Sequence, residues 1–337
     1  MVRALAGALL ASACLACSGT PDGPVTVRNG RPAMGTLLEI TLVAPDRERA
    51  QALIDECHAR IAALEARVSS WDAGSDTSQL NRTAGGEGWT PVAPETVEIL
   101  EAARAFAGAT GGVFDVSVGP LLALWRDAEA AGRWPDEVAI ERTRRAIGAQ
   151  RIQVEAGGNA ASAGRARLEA GMALDLGGIA KGWALDRVGA WLRDQGVEHA
   201  LLNFGGSSLL AIGAPPGEPG WRVGIAARAR GTGVLTLSDI HVSISESFGQ
   251  FREIQGRRVS HVIDPRRGTP VAGETLAIAA GDSGAAAEAW STSLLVLGGD
   301  GIGAARKAGL EVLVMTEATT VRTAGFPTLV WNEAPDR

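Results

Sequence analysis

The chain has 337 residues, 46% of them apolar, a formal net charge of −6, no tyrosine and only two lysines, Lys181 and Lys307. At roughly 150 residues per domain this is one large or two medium domains with ample core, which excludes a disordered chain. An acidic balance without a strongly basic window excludes a nucleic-acid backbone as the main partner, and four histidines and three cysteines are too few for a zinc module or a disulfide framework.

Residues 1–17 carry Arg3, a nearly unbroken apolar run from Ala4 to Leu15, and then Ala16-Cys17. This pattern predicts a secretory signal too short to span a bilayer. Its terminal cysteine looks like a bacterial lipoprotein site, with Cys17 the preferred lipid position, Cys14 a competing frame and an unlipidated signal the simpler alternative. The expectation is an exported protein on the periplasmic side of the cell envelope, held to the membrane through a lipid anchor. Residues 18–32, rich in Gly and Pro, read as a tether, and residues 33–331 as the folded domain.

Thr36 to Val43 alternates with Leu38, Ile40 and Leu42 on one face and reads as a strand. Asp46 caps a predicted helix to about Val68, with Cys57 on its apolar stripe. Ser69 to Asn81 reads as a polar loop, and Pro94 to Ala107 as a helix stopped by Gly108 and Gly111-Gly112. A short helix starts at Asp136 and runs to Ile147, and a strand covers Arg151 to Glu155. After the turn from Asp175 to Gly182, a helix ending at Gly196 carries Ala184, Val188, Trp191 and Leu192 inward. From His199 to Ala280 short strands alternate with Gly and Pro turns, among them Leu201-Leu202, Trp221 to Ile225, Val234 to Leu237 and Val259 to Ile263. Ser283 caps a long helix to Leu297, and Glu311 to Met315 and Thr328 to Trp331 are late strands. Helices and strands mix without a βαβ rhythm, which predicts an α+β fold. Neither a Gly-x-Gly-x-x-Gly turn after a strand nor a Walker lysine is present.

Four stretches combine turn residues with ionisable ones. In Gly112 to Pro120, Asp115 lies in an apolar, strand-like run, so its carboxylate needs hydrogen-bond donors or a ligand; turn capping is the plain alternative. In Leu174 to Gly182, the Gly177-Gly178 pair lets backbone approach a ligand at the start of a helix, and Lys181 adds a cation, so a phosphate or pyrophosphate fits. A chain that writes nearly every other cation as arginine gives that lysine added weight. In Ser260 to Gly268, His261 is a candidate general base, although a lone histidine is more often structural. In the long helix, Glu288 and Thr292 are four residues apart on one face, a pair of oxygens suited to Mg²⁺ that leans on substrate phosphates, but a common spacing.

Together and in this order, these stretches resemble the ApbE family of flavin transferases. The resemblance also takes in Met34-Gly35-Thr36, Ser69-Ser70-Trp71, the Ser-x-x-Ser-x-Leu-Asn spacing of Ser75 to Asn81, Gly119-Pro120-Leu121 to Trp125, and Asn203-Phe204-Gly205-Gly206. It implies a mixed α/β architecture of largely antiparallel sheets and packed helices. It implies Mg²⁺-dependent splitting of FAD at its pyrophosphate and attachment of FMN to a threonine or serine hydroxyl of an exported target flavoprotein of an electron-transfer complex, with AMP released. By this resemblance Met34, Ser69, Ser70 and Trp71 line the flavin or adenine pocket, Asp115 binds FAD, Lys181 steadies the phosphates, and His261 and Val262 border the reacting centre. The Gly178 carbonyl, Glu288 and Thr292 hold the metal, and His261 is the candidate base.

The chain also departs from the family pattern. Glu288 stands where aspartate is usual and reaches one methylene further; Gly178 replaces a usual alanine; and Ser243 to Phe248 lacks the family's glycine and carries Glu246 instead. Two other readings use the same residues: a pyrophosphatase giving free FMN and AMP, and a lipoprotein that binds FAD without turning it over.

Overall fold

The strand Ser208–Ile212 is buried along its whole length, so the sheet that holds it must be covered on both faces. The computed structural model describes residues 23–159, 163–227 and 231–332. The signal, with Cys14 and Cys17, and residues 18–22 of the expected tether lie outside the described residues.

The chain begins with strands β1 (Val25–Ala33) and β2 (Thr36–Ala44) and helices α1 (Arg47–Val68) and α2 (Asp76–Thr83). Next come β3 (Thr90–Val92), α3 (Pro94–Ala109), α4 (Gly119–Ala130), α5 (Glu137–Arg144), β4 (Gln153–Glu155) and β5 (Gly164–Arg167). The middle holds α6 (Ala180–Asp194), β6 (Ala200–Phe204), β7 (Ser208–Ile212), β8 (Trp221–Ala227), β9 (Gly231–Leu237) and β10 (Ile240–Glu246). A hairpin of β11 (Phe251–Ile254) and β12 (Arg257–Ser260) precedes the short pair β13 (Ile263–Asp264) and β14 (Thr269–Pro270). The remainder is β15 (Thr275–Gly281), α7 (Gly284–Leu297), α8 (Ile302–Lys307), β16 (Glu311–Thr316), β17 (Thr320–Arg322) and β18 (Leu329–Trp331).

Eight strands form one sheet in the order β1-β2-β6-β7-β10-β15-β16-β17, with every neighbouring pair antiparallel. Side chains alternate between its faces, as the two-residue period of a strand requires. Leu210 and Ile212 join α1 and α6 in one cluster, and Ala277 and Ala279 join α7 in another on the same side. Leu209, Ala211, Ile278 and Ala280 point the other way, against the three-stranded sheet β18-β9-β8. The α+β expectation therefore holds, with helices on one face and a small antiparallel sheet on the other. A separate cluster packs Leu121 and Trp125 of α4 against Ile254 and Val259 of the hairpin.

Asp46 caps α1 by accepting from the Arg49 amide at 2.7 Å, and Ser283 caps α7 by accepting from the Ala286 amide at 3.2 Å. Cys57 is fully buried on α1, and burial pushes its thiol up to about 12.

Four expectations need correction. Residues 25–32 are not tether but most of β1, which pairs with β2 from Val25 opposite Ala44 to Ala33 opposite Thr36. Buried Val27 and the Arg28–Glu39 ion pair supply what its Gly and Pro content hid. The second half of the Ser69 to Asn81 loop is α2, capped by Ser75, whose hydroxyl accepts from the Ser78 amide at 3.0 Å. Gly112 to Val118 is a succession of turns rather than a strand, and Gly119-Pro120 opens α4, where proline's missing N–H costs nothing. The Val259 to Ile263 strand breaks at His261-Val262. Trp191 points inward as expected, half-buried against the core, with the Arg60 guanidinium 4.5 Å above its ring.

Candidate active site

The site begins where two helices touch through glycine. A Cβ on Gly182 of α6 would lie 2.1 Å from the Gly284 carbonyl oxygen, and one on Gly284 of α7 would lie 2.5 Å from that of Gly182. Only glycine at both positions permits this crossing. It seats Lys181, at the start of α6, against Glu288, one turn beyond Gly284 on the same face of α7. Thr292 follows one turn later. Asp186 locks the crossing from the α6 side: its carboxylate accepts from the Ser283 hydroxyl at 3.0 Å and from the Gly284 and Ala285 amides at 2.6 and 3.0 Å. Those amides are unpaired donors at the positive end of the α7 dipole. Even so, burial holds the Asp186 carboxyl above its usual range, and Glu288's charge adds to the effect. His241 Nε2 lies 3.3 Å from Asp186 Oδ1, and burial pushes that imidazole down to about 4, so it is neutral at ordinary pH.

In front of the crossing lies a cavity of about 970 Å³ whose wall includes Met34, Trp71, Asp115, Gly178, Lys181, His261, Val262, Glu288 and Thr292. Of the residues expected at the site, Ser69 and Ser70 are not in that wall. Ser69 organises the turn that carries Trp71, accepting from the Trp71 and Asp72 amides at 3.2 and 3.3 Å. Ser70 is half-buried in the same turn. Trp71 stands 86% exposed at the cavity wall, an aromatic face open to a planar ring. Met34 has φ 48° in the two-residue turn between β1 and β2, a conformation that glycine or asparagine adopts more readily. Strain kept in a bulky residue at a cavity wall fits a functional position.

Asp115 is buried and its carboxylate is already satisfied. One oxygen accepts from the Ser117 amide at 2.8 Å and hydroxyl at 2.5 Å, and the other from the Ala149 amide at 2.8 Å. The chain itself supplies donors to both oxygens of this carboxylate, and Asp115 stands in the wall of the cavity.

Glu288 is different. It is 4% exposed; Oε1 takes Lys181 Nζ at 3.2 Å and the Ser208 hydroxyl, while Oε2 is buried with no partner. The Thr292 hydroxyl has no hydrogen bond to another described residue, and a Cβ on Gly178 would lie 4.0 Å from it. Glu288 and Thr292, one helical turn apart, thus offer an unpartnered carboxylate oxygen and an unpartnered hydroxyl near the Gly178 backbone, oxygen donors of the kind a hard divalent cation prefers. Among the described residues no three His, Cys, Asp or Glu side chains converge as a metal cage.

His261 sits in the strand break. The Ser260 hydroxyl donates to the Ser247 carbonyl at 2.5 Å and accepts from the Val262 amide at 3.0 Å, replacing ladder pairing there and leaving His261 facing the cavity. His261 Nδ1 lies 2.8 Å from the Gln250 carbonyl. A carbonyl only accepts, so Nδ1 carries the proton and neutral His261 presents Nε2 as a base. Burial, with help from the Arg252 charge, lowers the imidazole below its ordinary value against the opposing pull of the Gln250 and Ser247 carbonyls.

Asp186 and Ser208 were not legible as site residues, because both act across long sequence separations. Asp186→Asn should replace charge-assisted capping with a mismatched amide, lowering stability by about 1–3 kcal/mol in urea unfolding. It should also loosen the helix crossing that holds Lys181 against Glu288.

A model of the ApbE family matches residues 34–314. Proteins named FAD:protein FMN transferase are among its relatives: that of Klebsiella pneumoniae is 30% identical over 310 residues, covering 86% of each chain. That of Salmonella typhimurium is 28% identical over 276 residues, covering 79% of this chain and 77% of the relative. The crystal structure of the ApbE protein of Thermotoga maritima superposes with a TM-score of 0.76 at 25% identity, covering 89% of this chain and 97% of that one. The apo flavinyl transferase ApbE of Pseudomonas stutzeri superposes with a TM-score of 0.77 at 25% identity, covering 91% and 97%.

Proposed function

The chain belongs to the ApbE family, and we infer from that membership and its site that it transfers FMN from FAD to a target protein. The observation that carries the chemical reading is Glu288: a buried carboxylate with one oxygen on Lys181 and one without a partner, in a cavity that also holds His261.

In this reading the acceptor is a threonine or serine hydroxyl of an exported electron-transfer flavoprotein. His261 Nε2 takes the hydroxyl proton as the oxygen forms its bond to the phosphorus of the FMN half. The pyrophosphate P–O bond breaks, AMP leaves, and the proton passes from the imidazolium to solvent or product. Lys181 balances the phosphate charge, and Trp71 offers a ring face to the flavin or adenine. Glu288 Oε2, the Thr292 hydroxyl and the Gly178 carbonyl would hold Mg²⁺, which when bound supplies charge neutralisation for the pyrophosphate. The glutamate in place of the usual aspartate is compatible, since Lys181 and Ser208 take up one of its oxygens and leave the other free. Export and a lipid on Cys17, supported by the amino-terminal sequence, would put the enzyme beside membrane-bound targets.

The experiment measures AMP release from FAD with and without an acceptor domain. Release that depends on the acceptor supports transfer. Equal release in both arms assigns the chain as a pyrophosphatase, and tight FAD binding without release assigns it as a binding protein.

A further inference from the structure

We propose that Lys181 is a resident counter-ion of Glu288 that keeps a divalent cation off the carboxylate until a pyrophosphate gives the ammonium another partner. The inference rests on the metal-site reading above and adds an order to it: metal alone binds weakly, and metal with a pyrophosphate ligand binds tightly.

The Glu288 side chain is 4% exposed, and a carboxylate so buried needs a compensating charge. Lys181, at 3.2 Å, is that charge, and the Ser208 hydroxyl donates to the same oxygen. One carboxylate oxygen is thus occupied and the other is empty. Lys181 is itself 20% exposed, lines the cavity and stands on a flexible stem. Its only ion pair among the described residues is the one to Glu288. A lysine held by a single partner at a cavity wall can change partners when an anion enters.

The electrostatics fix the sign of the effect. A divalent cation on Oε2 would lie within about 7 Å of the ammonium, given the 3.2 Å contact of Lys181 with the other oxygen and metal–oxygen distances near 2 Å. Like charges that close in a partly buried site repel enough to cost at least about tenfold in affinity. A pyrophosphate reverses this, because its anionic oxygens attract both cations and let the ammonium leave the carboxylate. By linkage, the metal must tighten the pyrophosphate ligand by the factor by which that ligand tightens the metal.

Had Lys181 been only a phosphate contact, its removal would leave metal affinity in the absence of nucleotide unchanged. The test is therefore Mn²⁺ binding to the nucleotide-free mature protein, read by electron paramagnetic resonance of free Mn²⁺. Lys181→Met should bind Mn²⁺ at least about tenfold more tightly than the unmodified protein, while Lys181→Arg, which keeps a cation, should stay within about threefold of it. Lys181→Gln repeats the neutral arm if the methionine variant does not fold, as judged by circular dichroism. Glu288→Gln locates the ion, since binding at this site must weaken there. Unchanged or weaker binding in the neutral variants, with binding that still depends on Glu288, overturns the counter-ion while leaving the metal site standing. No Glu288-dependent binding in any variant overturns both.

Discussion

Glu288→Gln should lower the rate of FMN transfer by about 10²–10⁴-fold while leaving the protein folded. The amide keeps the volume of the side chain and can still accept from the Ser208 hydroxyl at one atom. It loses the negative charge that Lys181 balances and the free Oε2 that a cation would take. Unfolding should be affected little, because removing one buried charge also removes its desolvation penalty and Lys181 keeps access to solvent. Transfer rates at saturating FAD and Mg²⁺, with a urea melt alongside, check this. A variant that retains more than a tenth of the rate would remove Glu288 from the chemistry.

His261→Ala should cost about 10²–10⁴-fold in turnover with little change in FAD affinity, the mark of lost general-base catalysis. The pH profile follows from its environment. Burial lowers the imidazole below 6.5, so the neutral, base-competent form persists from alkaline pH down through neutrality. The rate should stay level from pH 8 to about 6.5 and fall only below that, where the ring takes up a proton. An acid limb centred above 6.5, or a variant with an unchanged limb, would assign the titration to another group.

The parts of the fold that could be read from the sequence are those whose signals are local. Asp46 and Ser283 cap their helices as written, and Leu38, Ile40 and Leu42 are fully buried on the face that their alternation predicts. α2 escaped because its inward residues include Asp76 and Thr77. The Asp76 carboxylate accepts from the Ala93 amide and the Thr96 hydroxyl, both at 2.7 Å, tying α2 to α3 where an apolar stripe would ordinarily do so. β1 escaped because it lies at the edge of the sheet with one neighbour, so its pattern is polar and its register comes from β2.

The same distinction governs the site. Lys181, His261 and Glu288 each lie in a turn or helix motif with its own chemical signature, and the fold brings all three to one cavity. Asp115 was visible as a buried carboxylate, but its donors Ser117 and Ala149 could be identified only in three dimensions. Asp186 and Ser208 carry no local signature: one reaches 98 residues to the Gly284 amide and the other 80 residues to Glu288. The first follows from the Gly182–Gly284 crossing and the second from the packing of α7 on β7, neither of which a spacing rule reveals.

The central claim is that the chain attaches FMN to another protein. Intact-mass spectrometry of an acceptor domain bearing an exposed threonine, after incubation with FAD, Mg²⁺ and the mature enzyme, tests it most directly. One FMN added per acceptor, and none when that threonine is replaced by valine, is the predicted result. FAD consumed to AMP with every tested acceptor left at its original mass would contradict it.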